Sequence, residues 1–229
     1  MKDDRVRLSL PTVTGLAVSL VVPLFYNLVV GPRFLQPRVD GATYALIGFG
    51  VLWLTTLGLV LLVRVGEGRP LSSIGLQRLS WRWVLVAIGL GIVLSLAVPL
   101  LTIMIGQVMP ASESGTIDSM TAQYPAWLIL VGVITAGVTE EILFRAYPLE
   151  RLIALTRTPW LSAIISLVLF VLAHLQSWNL AHIVGVVLPL GAALTALYLW
   201  RRNLLFVILV HTLIDLPLVF LKLMNRTQG

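Results

Sequence analysis

Seven apolar runs, at 8–30, 43–63, 83–108, 126–149, 160–176, 181–200 and 204–223, leave this chain little choice of solvent. Most reach the ~18–20 residues that a helix needs to cross a hydrocarbon core about 30 Å thick. Inside lipid, every backbone N–H and C=O must be satisfied within its own segment, so such runs fold as helices. The expectation is an all-α, polytopic transmembrane helix bundle of about seven spans, within a range of six to eight. Chain breakers fall between the runs, at Gly31-Pro32, Gly66 to Pro70, Met109-Pro110 and Thr158-Pro159. With 58% of its residues hydrophobic and 11% charged, the chain leaves no segment for a soluble domain.

The charges that remain read as topology signals. The net charge is +6, but Lys and Arg sit in short connections rather than on one basic face, so no nucleic-acid partner is expected. With the N-terminus in the cytoplasm, the inside segments hold Lys2, Arg5, Arg7, Arg64, Arg69, Arg78, Arg82, Arg145, Arg151, Arg157, Arg201 and Arg202, 12 in all. The outside segments hold Arg33, Arg38, Lys222 and Arg226, which is 4, and seven spans put the C-terminus outside. The start, Met1 to Arg7, resembles the opening of a signal peptide. The apolar run after it is too long for one and no small-x-small site closes it, so an uncleaved first helix is expected. The loop 110–125, with Ser112, Glu113, Ser114, Asp118 and Ser119, reads as a solvated external loop. The segment 66–80 reads as a cytoplasmic loop with room for a short interfacial helix. Without cysteine, disulfides, thiolate zinc sites and a thiol nucleophile are all excluded.

Ionisable residues inside a span cost about 2.5–3.5 kcal/mol each near the bilayer centre, so they usually face a cavity and act there. Here they fall in the last four runs. In Thr139-Glu140-Glu141-Ile142-Leu143-Phe144-Arg145, Glu141 and Arg145 are four apart and pair on one face. Glu140 points elsewhere and is the candidate general base. A structural ion pair at a helix end would account for Arg145, but not for an extra carboxylate. His174 closes Phe170-Val171-Leu172-Ala173-His174. His211 and Asp215 are again four apart, so the carboxylate can fix the imidazole tautomer. Of the three histidines, His182 reads as interfacial beside Trp178 and Asn179. Arg145 falls near the cytoplasmic end of its run, so the site is expected to open toward the cytoplasm.

Glu-Glu-x-x-x-Arg, then Phe-x-x-x-His, then His-x-x-x-Asp, each on its own helix, resembles the CPBP family of CAAX proteases and bacteriocin-processing (Abi) enzymes. The resemblance covers roughly 126–222. It divides the chain into an N-terminal three-helix membrane segment, 1–125, and a four-helix catalytic core, 126–229. It implies an intramembrane endopeptidase that cleaves a membrane-anchored, CAAX-like or leader-type substrate in a prokaryotic plasma membrane. Glu140 and His174 would activate water, Glu141 and Arg145 would support the pocket, and His211 with residue 215 would stabilise the oxyanion. Position 215 is Asn in the CAAX branch and Asp here. Two readings of Asp215 follow: it orients His211, or Glu140, His174, His211 and Asp215 together hold a divalent metal such as zinc. A metal-free glutamate mechanism is favoured, with no cofactor. The competing classes are a bacteriocin-immunity or scaffold protein and a transporter with a carboxylate–histidine proton relay.

Overall fold

The structure, a computed structural model, describes residues 9–109 and 114–225. Lys2, Arg5, Arg7, Pro110, Ser112, Glu113 and Arg226 lie outside the described residues. Six helices are long and apolar enough to cross a membrane. They are α1 (Leu10–Leu35), α2 (Gly41–Gly66), α3 (Trp81–Gly106), α5 (Ala126–Thr156), α7 (Leu180–Arg201) and α8 (Leu204–Met224). Between them lie a short surface helix, α4 (Ile117–Gln123), and a shorter apolar helix, α6 (Pro159–His174). All seven apolar runs are therefore helical. The fifth has 16 residues. At 1.5 Å per residue that is about 24 Å, short of the ~30 Å core.

Polar side chains set most of the helix starts, because the first N–H groups of a helix have no partner within it. Asp40 accepts from the backbone of Ala42 and Thr43 ahead of α2, both at 3.0 Å. The Thr43 hydroxyl and these amides hold the Asp40 carboxyl below its ordinary range. Asn179 and Asn203 do the same for α7 and α8, and Thr116 with Ser119 forms a capping box on α4. The segment 66–80 contains one short 3₁₀ turn, Leu71–Ile74.

Two helices run past their expected ends. Gly31-Pro32 does not stop α1, which passes through it as a π-helical stretch, Tyr26–Leu35. The fourth run continues to Thr156 rather than 149, widened into a π stretch over Ala136–Ala146. A proline inside a helix lacks an N–H and crowds the turn before it. Pro148 and Pro189 each follow a π stretch directly, Ala136–Ala146 and Ile183–Val187, where the wider turn relieves that crowding.

Small residues bring the helices together, as expected where lipid removes most of the hydrophobic drive between them. A side chain at Gly91 of α3 would overlap Leu213 of α8, and one at Gly137 of α5 would overlap the Thr212 hydroxyl of α8. The second contact draws α5 and α8 together at the level of Glu141 and His211. The outer face of α3 exposes Leu85, Ile92, Val93, Leu96, Leu100 and Ile103, an apolar stripe suited to lipid.

The bundle has two distinct ends. At one, Arg151 of α5 pairs with Glu67 after α2, the Thr12 hydroxyl of α1 donates to Glu67, and Leu204 of α8 donates to Gly75 O. At the other, Asn179 N bonds Gly115 O and Lys222 donates to Ala122 O, so the loop before α5 covers the ends of α6 and α8.

Candidate active site

The π stretch Ala136–Ala146 carries the Glu-Glu-x-x-x-Arg motif, and it turns the two adjacent glutamates toward different helices. Glu140 faces α6, with Oε1 3.8 Å from His174 Nε2. Glu141 faces α8, with Oε1 2.7 Å from His211 Nδ1 and 2.9 Å from Arg145 Nη1. The sequence paired Glu141 with Arg145 alone. The structure makes Glu141 the shared acceptor of α5 and α8.

Each partner is held in turn. His174 Nδ1 is 2.8 Å from Phe170 O, which fixes Nε2 toward Glu140. Asn27 of α1 donates to the carbonyl of Ala173 at 3.1 Å and anchors that helix end. The Phe170 ring lies under the Arg145 guanidinium at 3.9 Å and against the His174 ring at 4.4 Å. One aromatic side chain therefore joins the arginine motif to the histidine motif through a cation–π contact. Ser166 donates to the Phe144 carbonyl and ties α6 to α5 a turn deeper.

His211 is 6% exposed and lies between two carboxylates. Its second nitrogen, Nε2, is 3.4 Å from Asp215 Oδ2. Glu140, His174, His211 and Asp215 all line one hollow, so the residues of the three motifs converge. His182 lines it too, stacked on Trp178 with ring centroids 4.1 Å apart.

His174 presents Nε2 to the hollow while its Nδ1 bonds a backbone carbonyl, and both His211 nitrogens face carboxylates. Among the described residues, no group of three or more His, Asp or Glu side chains is arranged to hold a metal.

Glu140 and His174 also border a larger cavity of about 550 Å³. Its walls include Tyr26, Tyr44, Phe49 and Tyr124, and its rim includes Gln36, Gly115 and Gln123. The rim lies at the end of the bundle away from Arg151. Arg145 does not mark a helix end, because α5 continues to Thr156 and the guanidinium is wholly buried. Its charge is matched by Glu141 and the face of Phe170, and Arg151 is likewise buried against Glu67. Neither arginine is a topology signal, and the cavity opens at the opposite end from the one the sequence suggested.

No curated protein and no solved structure matches the chain. A family model does, over residues 122–217, which include Glu140, Glu141, Arg145, His174, His211 and Asp215. That model is the Rce1-like one, described as type II CAAX prenyl endopeptidase, and this stretch of the chain is similar to it.

Proposed function

We propose that this protein is an intramembrane endopeptidase in which Glu140 and His174 activate water without a metal. The observation that carries the reading is the 3.8 Å approach of Glu140 to His174 Nε2 inside a hollow that His211 and Asp215 also line. A water between the two groups would give one proton to Glu140 while its oxygen attacks the peptide carbonyl carbon. With a proton on each nitrogen, His211 would keep Nδ1 on Glu141 and donate from Nε2 to the oxyanion. As the C–N bond breaks, the proton on Glu140 would pass to the leaving amine. Glu141 and Arg145 position His211 and touch no substrate. The substrate class is a membrane-anchored peptide or protein that reaches the cavity from the bilayer.

The test is cleavage of membrane-tethered fluorogenic peptides by purified protein in detergent. Wild type should cleave and His174→Ala should not; equal rates for the two would refute the proposal. Two further outcomes bear on mechanism. Activity should survive a strong chelator; loss of activity that added zinc restores would overturn the metal-free reading. Asp215→Asn should retain most activity, because an amide can still bond His211 or the oxyanion. Asp215→Leu should lose about 10–100-fold, the usual cost of removing an orienting partner.

A further inference from the structure

The two ends of the bundle differ in charge as well as in shape. The end without the cavity carries Arg64, Arg69, Arg78, Arg82, Arg157, Arg201 and Arg202 among the described residues, besides the buried Arg145 and Arg151. The end with the cavity carries Arg33, Arg38 and Lys222. Even without the two buried arginines, which report on packing rather than topology, seven cations face three. Lys and Arg collect in the cytoplasmic connections of membrane proteins, so the arginine-rich end is the cytoplasmic one.

The hollow at the other end has a structural cause. Starting from the arginine-rich end, α6 stops at His174 after about 24 Å, short of the ~30 Å hydrocarbon core. The chain then turns back through Ser177 and Trp178 into α7. The space left above His174 is the cavity, and Gly115, Ser119 and Gln123 of the loop before α5 rim it. From 107 to 144 the sequence holds no Lys or Arg, so nothing in that loop ties it to the cytoplasmic face.

We propose that the site opens on the non-cytoplasmic face of the membrane, and that its substrate is a membrane-anchored polypeptide whose scissile bond lies outside the cytoplasm. The substrate half rests on the peptidase reading; the orientation half does not. The side chains suit such a guest. Tyr26, Tyr44 and Tyr124 offer apolar rings with polar tips and Phe49 a wholly apolar one, in the same cavity that Glu140 and His174 line.

The absence of cysteine makes the test direct, because each introduced thiol is the only one. Ser72→Cys and Gln77→Cys mark the arginine-rich end, and Gln36→Cys and Gln107→Cys the cavity end. A membrane-impermeant maleimide should label the second pair in intact cells and the first pair only after lysis, each normalised to denatured protein. The reverse pattern, or labelling at both ends of intact cells, would overturn the orientation. A second arm uses two single-anchor reporters, with the cleavable segment outside or inside the cytoplasm. Cleavage of the outside reporter alone is expected, and cleavage of the inside one would overturn the substrate assignment. Expected labelling with neither reporter cut would overturn the peptidase reading and leave the orientation standing.

Discussion

Replacing Glu140 with Gln should lower peptide cleavage by about 10²–10⁴-fold, the usual contribution of a positioned general base. The amide keeps the size of the side chain but cannot take a proton from water. The fold should be unaffected. The Glu140 side chain is 14% exposed to the cavity and sits 3.8 Å from His174, so the change strands no buried charge. Turnover should therefore fall while the unfolding midpoint stays put. Glu141→Gln gives the contrast. Its carboxylate is fully buried and holds both Arg145 and His211, so its loss should lower the midpoint and the activity together. Wild-type turnover by Glu140→Gln would leave the proposed chemistry without a base. A loss of activity that only tracked unfolding would reduce Glu140 to a structural role.

That two adjacent glutamates behave so differently was half legible in the sequence. The i,i+4 spacing of Glu141 and Arg145 identified one pair correctly, because such neighbours meet on any regular helix. The spacing could not show that His211, from a helix some seventy residues on, would share the same oxygen, since that contact depends on how α5 and α8 pack. Gly137 against Thr212 permits the approach, but a glycine in an apolar run has no unique reading. The apolar runs located all seven helices within a few residues at most ends. They failed at Gly31-Pro32, where a π stretch carries the helix past a pair that would otherwise end it, and at 149, where the helix runs on through Glu150 and Arg151 to Thr156. The positive charges misled in one place. Arg145 and Arg151 count as loop cations by position alone, yet burial and paired carboxylates place them inside the protein. That His182 lines the hollow depends on the turn between α6 and α7, which its position in the sequence does not reveal.

Arg151→Met should destabilise the protein by about 3–5 kcal/mol, the range for leaving one member of a buried ion pair alone. Arg151 and Glu67 are each 2% exposed at the side chain. The guanidinium donates to both Glu67 oxygens, from Nη2 at 2.6 Å and from Nε at 3.0 and 3.2 Å, and to Ser73 O at 3.1 Å. Glu67 also accepts from the hydroxyls of Tyr147 at 2.9 Å and Thr12 at 3.2 Å. The network thus clamps α1, α2 and α5 at the arginine-rich end. With the arginine gone, two hydroxyls remain to solvate a buried carboxylate, which is too few. At ~2–4 °C per kcal/mol for a chain of this size, the midpoint in detergent should fall by about 6–20 °C. Glu67→Met alone should cost a similar amount, because it strands the cation instead. The double variant should recover most of the loss, since replacing both partners of a buried pair with apolar groups removes both desolvation penalties at once. Thermal unfolding of the four proteins closes the cycle. Additive losses would show that the two side chains act independently, against their bidentate contact. Cleavage by Arg151→Met, assayed below its lowered midpoint, should match wild type, because the clamp sits at the end of the bundle away from Glu140 and His174.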